Sequence, residues 1–299
     1  MNATVSDPAL TLLTPATPQG LLGLIGSGIG QSLTPALHQQ EAGHHGLRLH
    51  YQLIDLDRFG GSAADLPWLL SAVRAIGFGG LNITYPCKQA VIPHLDELSD
   101  EAREMGAVNT VVIRDGRLIG HNTDGSGWAR GFRRALPQAD LGAVALLGAG
   151  GAGAAIAHAV LRLGADELRI VDADPARAAA LAAELGPRAR AAADAAQALA
   201  GATGLIHATP TGMAKLPGLP LDAGLLHAGQ WVSEVVYFPL DTALLREARA
   251  RGCAVSDGGG MAVGQALGAF ELFTGLTADA DRVEHHFRQL VALRQRGEC

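Results

Sequence analysis

Three short stretches carry residues able to hold a hydroxyl-bearing ligand and move a proton. They are "NITYPCK" with Asn82, Thr84 and Lys88, "GAVNT" with Asn109, and "HNTDG" with Thr123 and Asp124. Lys88 stands apart because the chain has 23 basic side chains, of which only Lys88 and Lys215 are lysines. Guanidinium stays protonated in proteins, whereas burial or a neighbour can tune an amine until it exchanges protons. A lysine beside an aspartate can take a hydroxyl proton, and its charge stabilises a developing alkoxide. That is the chemistry of alcohol oxidation, and it requires a hydride acceptor. The bland alternative is that Lys88 merely survives an arginine-leaning composition, so its neighbourhood has to decide. Lys215, in "TPTGMAKLPG", reads as a solvated loop residue. Cys87 has no histidine nearby in the sequence, which argues against a thiolate nucleophile.

A site for the hydride acceptor is legible farther on. Gly148, Gly150 and Gly153 form GxGxxG after the apolar run "VALL" and at the opening of a helical stretch. The first glycine permits a tight turn, the second lets the backbone approach a pyrophosphate, and the third allows close helix packing. With 39 glycines in the chain the pattern alone is weak. The strand "ELRIVD" strengthens it by ending in Asp172, about 20 residues beyond the turn, where a carboxylate can hold an adenosine ribose. A carboxylate there repels the 2'-phosphate of NADP, and Arg177 falls farther on, within the next helix, so NAD is favoured over NADP. The competing role for Asp172 is a helix cap, which Asp174, directly before Pro175, fills better.

The elements that must position these groups follow from periodicity. Short apolar runs alternate with helical stretches: "LLGLIG", then "SLTPALHQQEAGHHG" closed by Gly46, "HYQLIDL", "LPWLLSAVRAIG", "GLNIT", and a helix opening at "KQAVIPHL". "AVNTVVIRDGRLIGHNTD" reads as a hairpin turning at Asp115 and Gly116. After the helix "GWARGFRRAL" a second alternation begins at Ala143 and runs through "TGLIHATP", "WVSEVV", "DTALLREARARG" and "CAVSDG" to the helix "GGMAVGQALGAFELFTG". "AAALAAELGPRARAAADAAQALAGA" reads as alanine-rich helix. Repeated βα alternation implies an α/β fold with parallel sheets, and 299 residues favour two domains.

Composition closes off other classes. A net charge of -6 and only 4 % aromatic residues argue against a nucleic-acid surface. Cys87, Cys253 and Cys299 are odd in number and widely spread, with no CxxC pair, which fits a reducing cytoplasm rather than a disulfide framework or zinc knuckle. The first basic residue is Arg48 and no apolar run reaches membrane-spanning length, so neither a secretory signal nor a membrane span is expected. Residues 1–18 read as a loose tail. "HQQEAGHHGLRLH" lacks an HExxH pattern, so it reads as a solvated helix end and no metal is expected.

Taken in order, "SLTPALHQ", "GLNITYPCKQAV", "GAVNTVV", "GHNTDGSG", "GAGGAG", "ATPTGM" and "DGGGMAVGQA" resemble the shikimate dehydrogenase family, and more closely its NAD-dependent quinate/shikimate branch. The resemblance covers about residues 21 to 292. It implies a catalytic Lys88 and Asp124 pair acting on the C3 hydroxyl of quinate or shikimate. It implies further that Ser32 and Thr34 hold the substrate carboxylate, that Thr84, Asn109, Tyr237 and Gln265 contact ring hydroxyls, and that Asn82 and Thr123 support them. On the cofactor side it implies that Gly148, Ala149, Gly150, Gly151 and Ala152 form the phosphate loop. Asp172 is then the ribose partner, and Thr209, Met213, Val235 and Gly258 line the nicotinamide side. Two departures from the biosynthetic pattern point to NAD-dependent quinate and shikimate oxidation: Ser32-Leu33-Thr34 in place of Ser-x-Ser, and Val171-Asp172-Ala173 in place of Asn-Arg-Thr; an NADP-dependent biosynthetic shikimate dehydrogenase is the alternative within the same class.

The expected organisation is a substrate domain over residues 1–124, completed by the C-terminal helices of 258–299, around a Rossmann dinucleotide domain of 125–257. The substrate would lie in the cleft between them. A non-catalytic sensor on the same scaffold is the alternative from another class, and an intact Lys88 and Asp124 pair weighs against it. Monomer and homodimer both remain open.

Overall fold

The computed structural model describes residues 19–297, so the tail expected over 1–18 and Cys299 lie outside the described residues. Two six-stranded sheets divide the chain. The first half contains β1 (Gln19–Gly26), α1 (Thr34–His44), β2 (Arg48–Asp55), α2 (Leu66–Ile76), β3 (Gly80–Ile83), the single turn α3 (Cys87–Ala90), β4 (Glu97–Leu98), α4 (Asp100–Met105) and the hairpin β5 (Thr110–Arg114) and β6 (Arg117–His121). Strand order is β2-β1-β3-β5-β6-β4. β1 pairs parallel with β2 and β3, and β4 with β6, whereas β5 runs antiparallel to both its neighbours. The hairpin turns at Asp115 and Gly116, both at positive φ (51° and 74°), the conformation a two-residue loop needs to match strand twist.

The second half follows α5 (Asp124–Ala135). It comprises β7 (Ala143–Leu147), α6 (Gly151–Arg162), β8 (Glu167–Val171), α7 (Pro175–Leu185), β9 (Ala189–Ala191), α8 (Ala195–Leu199), β10 (Gly204–His207), β11 (Trp231–Glu234), α9 (Ala243–Ala250) and β12 (Ala254–Ser256). The order β12-β11-β10-β7-β8-β9 is parallel throughout, which is the doubly wound order of dinucleotide-binding domains, with its switch point between β7 and β10. The chain then returns to the first half through α10 (Gly259–Thr274) and α11 (Ala280–Gln295). Buried Val263, Leu267, Phe270, Phe287 and Val291 of these helices share a core with Leu37 and Ala42 of α1.

Three sequence expectations need correction. The alanine-rich stretch is not one helix: α7 stops at Gly186 (φ 84°), Pro187 follows, and Ala189–Ala191 pair with β8 before Asp194 caps α8. Alanine carries no strand signal, so this edge strand forms because β8 offers a ladder, not because of propensity. The helix opening at "KQAVIPHL" lasts one turn, because Pro93 lacks the N–H a continuing α-helix would need and a 3-10 turn over Ile92–His94 takes over. The histidine-rich segment is no solvated helix end throughout. His38 is buried, because α10 and the strand β2 close over that face of α1, and His45 bonds to Glu41, itself tied to Arg282 of α11.

α5 and α10 meet without side chains between them. A Cβ on Gly264 would stand 2.1 Å from the Gly127 carbonyl oxygen, so the backbones touch where both helices cross between the halves. This seam brings Gln265 beside Asp124.

Candidate active site

β1 and β3 are adjacent and parallel, so the loops leaving their C-terminal ends lie side by side. The Ser27 N–H donates to the Tyr85 carbonyl, and a Cβ on Gly26 would collide with Thr84 at 2.3 Å. The first loop is pinned from beneath by Asp55, whose carboxylate accepts the Gly28 N–H. It ends at Ser32, whose hydroxyl donates to Thr34 Oγ1 (3.0 Å) at the start of α1. The second loop ends in α3, which buries Cys87 and leaves Lys88 about one-third exposed.

Lys88 Nζ lies 2.7 Å from Asp124 Oδ2, with side-chain exposures of 32 % and 4 %. The carboxylate is held on its other oxygen: Asn109 Nδ2 (2.9 Å) and Gln265 Nε2 (2.7 Å) both donate to Asp124 Oδ1. Asn109 divides its amide hydrogens between Asp124 and Thr123 Oγ1, and its oxygen accepts the Thr123 N–H. Asn82 Nδ2 donates to the Asn109 carbonyl and to Thr110 Oγ1. Six of the expected residues, Lys88, Asp124, Asn109, Gln265, Thr123 and Asn82, therefore form one bonded cluster, drawn from α3, β3, α10, the residue before β5 and the start of α5 with its cap. A buried, hydrogen-bonded carboxylate with one oxygen facing an accessible amine is built to exchange a proton.

Among the described residues Ser32, Thr34 and Tyr237 make no hydrogen bond to that cluster. Tyr237 is 46 % exposed, with its ring 6.2 Å from that of Phe287. Sequence reasoning missed Tyr51 and Asn122. Tyr51 donates to Asn82 Oδ1 at 2.6 Å, which fixes the amide so that its N–H groups face Asn109, and burial pushes the Tyr51 phenol well above its usual value. Asn122 Oδ1 accepts the Asp124 N–H and positions the start of α5. Asn122 stood inside the quoted "HNTDG", while Tyr51 was visible only as one face of a strand. Burial also pushes the Cys87 thiol up, against any nucleophilic role.

The dinucleotide loop fits its expected occupant. Gly148 sits at φ 102°, and a Cβ on Gly153 would fall 1.9 Å from the Gly148 carbonyl oxygen, so α6 packs onto the turn only as glycine. Cβ atoms on Gly150 and Gly151 would meet nothing within 4 Å, and no side chain caps α6, so its first N–H groups face open space. Asp172 Oδ2 accepts the Ala149 N–H (2.7 Å), Oδ1 accepts that of Asp174 (2.9 Å), and Arg177 Nη1 approaches Oδ1 to 3.7 Å. Burial raises this carboxyl, but those two N–H groups and the guanidinium outweigh it and hold it below the usual range. Asp174 caps α7 through the Ala176 N–H. Thr209, Val235 and Gly258 follow the C-terminal ends of β10, β11 and β12, and Met213 lies exposed in the loop after Thr209. Strand ends are where ligands bind in such sheets.

A cavity of about 490 Å³ lies elsewhere, between α5, α10 and α11. Its Arg130, Arg134 and Arg288 are bonded to Glu271, Asp281, Glu284 and Asp257, so their charges are already spent on one another. The candidate site is therefore the Lys88–Asp124 cluster rather than this cavity. Among the described residues no group of three or more His, Cys, Asp or Glu side chains is placed to hold a metal ion. No described helix is long and apolar enough to cross a membrane.

A shikimate dehydrogenase of Streptomyces avermitilis, named for NADP(+), is 59 % identical over 88 % of this chain and 93 % of its own. This chain belongs to the shikimate dehydrogenase family. The model of that family's substrate-binding domain matches residues 24–111, and that of a coenzyme F420-dependent NADP oxidoreductase matches residues 143–215. A quinate/shikimate dehydrogenase of Corynebacterium efficiens, named for NAD(+), is 47 % identical over 90 % of this chain and 98 % of its own. The quinate dehydrogenase of Corynebacterium glutamicum, solved with NAD, superposes with a TM-score of 0.87 at 44 % identity, covering 91 % of this chain and all of the other.

Proposed function

We propose that the protein reversibly oxidises the C3 hydroxyl of quinate and shikimate with NAD. The observation that carries this reading is the Lys88–Asp124 pair at 2.7 Å, with the carboxylate locked by Asn109 and Gln265. When bound, the dinucleotide supplies a hydride acceptor. The chain's own groups do the rest. Lys88 Nζ faces the hydroxyl oxygen, stabilises negative charge on it and shares its proton with Asp124 Oδ2. Asn109 and Gln265 keep Oδ1 occupied, so only Oδ2 is free to exchange. Asn82, held by Tyr51, fixes Asn109 in turn.

Ser32 and Thr34 are assigned to the substrate carboxylate, and Thr84 and Tyr237 to ring hydroxyls. Ser32 and Thr34 already form one hydroxyl pair on the loop beside Thr84, which supports a shared oxygen-binding wall. On the other side Gly148 to Ala152 would hold the pyrophosphate, Asp172 the ribose, and Thr209, Met213, Val235 and Gly258 the nicotinamide ring. The substrate half is taken as residues 1–124 with 258–299, and the dinucleotide half as 125–257.

The preference for NAD rests on the Asp172 carboxylate at the end of β8, which sets negative charge against a 2'-phosphate. One observation favours NADP as the second reading: Arg177 approaches this carboxylate more closely than its place in the next helix implied, and its side chain is 57 % exposed. Initial rates at the reduced-nicotinamide band, with quinate and shikimate each run against NAD and NADP, separate these readings. Turnover of both substrates with NAD supports the proposal, shikimate with NADP alone moves the protein to the biosynthetic branch, and no turnover refutes both.

A further inference from the structure

His207 and Glu234 end adjacent strands and face each other in register, with both side chains wholly buried. Glu234 Oε1 accepts from His207 Nδ1 (2.8 Å) and from the N–H groups of Val235 (2.9 Å) and Val236 (3.0 Å). Glu234 Oε2 accepts from Thr242 Oγ1 (2.9 Å), whose own oxygen accepts the Leu245 N–H. The two N–H groups and the Thr242 hydroxyl all donate to this carboxylate, so it acts as an acceptor, and the geometry suits a hydrogen on His207 Nδ1. His207 Nε2 then stands 2.5 Å from Thr209 Oγ1, which also receives the Thr211 N–H. One buried pair thus ties together the two segments, 208–211 and 235–236, that leave β10 and β11 toward the proposed nicotinamide side.

We propose that His207 and Glu234 are positioning residues that turn Thr209 into a fixed hydrogen-bond acceptor for the carboxamide N–H of the nicotinamide ring. This rests on the assignment of Thr209 to that side of the dinucleotide. With Nδ1–H held by Glu234, the proposed tautomer presents the Nε2 lone pair to Thr209 and draws the Thr209 O–H inward to it. In that arrangement the hydroxyl keeps one lone pair for the carboxamide. A free threonine would divide its hydroxyl among several rotamers and act as donor or acceptor, so the pair selects one polarity in advance of binding.

The test uses His207→Asn, whose amide N–H replaces Nδ1–H toward Glu234 and keeps the buried carboxylate paired while releasing Thr209. Binding is read by calorimetry, without ring substrate, for NAD and for its 3-acetylpyridine analogue, which keeps the carbonyl but lacks the amide N–H. His207→Asn and Thr209→Val should each weaken NAD by about three- to tenfold, the worth of one neutral hydrogen bond, and leave the analogue unchanged. The double variant should be no worse than either single. In the wild type with ¹⁵N-labelled histidine, His207 Nε2 should carry no hydrogen.

Equal loss for both dinucleotides, additive losses, or a hydrogen on Nε2 would overturn the proposal and leave His207 a purely structural residue. If His207→Asn fails to fold, Thr209→Val, which leaves the pair untouched, decides through the analogue comparison alone. Unchanged NAD affinity in Thr209→Val, beside normal wild-type turnover, overturns this inference and spares the proposed function; a wild type that binds no dinucleotide overturns both.

Discussion

Removing either member of the Lys88–Asp124 pair should abolish nearly all turnover, and removing both should cost little more. Lys88→Met takes away the charge that meets the alkoxide, and Asp124→Asn takes away the acceptor for its proton. Loss of a positioned acid–base group costs about 10² to 10⁴ in rate, or about 3 to 5 kcal/mol at 1.36 kcal/mol per tenfold. The folded state loses less. Lys88 is one-third exposed, so its half of the ion pair is screened by water, but Lys88→Met leaves Asp124 Oδ2 without its partner and should lower Tm by a few degrees. Asp124→Asn is harsher, because the new amide sets a donor among Lys88, Asn109 and Gln265, all donors, in a buried site. A mispaired buried group costs about 1 to 3 kcal/mol, enough to lower Tm by several degrees without unfolding the protein. Steady-state kcat with quinate and NAD, together with dinucleotide affinity and Tm, gives the full cycle. Groups that act as one unit lose activity non-additively, so the double variant should match the worse single variant within about tenfold. Losses that multiply, or turnover within tenfold of wild type in either single variant, would refute the shared-proton mechanism.

Other consequences are equally direct. Asp172→Asn removes negative charge beside Arg177 but sets an amide against one of the two backbone N–H groups the carboxylate accepts, so NAD should weaken several-fold while the ratio of kcat/KM with NADP to that with NAD rises by about tenfold. Burial, with no hydrogen-bond partner for either ring nitrogen, lowers the His38 pKa from 6.5 to about 4. The unfolded chain therefore binds the proton first, and about 3 kcal/mol of stability present above pH 6.5 should be lost as pH falls to 4. His38→Leu should flatten urea-unfolding stability across that window. Gly264→Ala forces a methyl into the Gly127 carbonyl oxygen and should cost about 1 to 3 kcal/mol in denaturant titration, with kcat falling as Gln265 is displaced from Asp124.

The parts of the fold that were legible have local causes. β7 to α6 was readable because a glycine turn between an apolar run and a helix has few other uses, and the hairpin because Asp115-Gly116 supplies two positive φ angles in succession. β9 was not readable, since Ala189–Ala191 become a strand only through β8. The same division runs through the site. Lys88, Asn109 and Asp124 sit in polar turns between apolar strands, where polar residues invite explanation. Tyr51 and His207 lie inside β2 and β10, where a hydrogen-bonding group reads as one more buried side chain until its partner is placed 31 or 2 residues away. His38 shows the opposite failure: among neighbouring histidines it reads as polar surface, but α10 and β2 bury it.

The return of α10 and α11 to the first half also sets an order of assembly during synthesis. A ribosome delivers β7 through β12, a whole parallel sheet, while Leu37 and Ala42 of α1 still lack the apolar surface they pack against. Domains ordinarily fold as they emerge, the N-terminal one first. Here the half made first is finished last, and Asp124 waits for a Gln265 that lies 141 residues downstream. A chain cut short after Ser256 would contain every strand of the second sheet but neither the α10 and α11 residues that complete the first core nor Gly258 and Gln265.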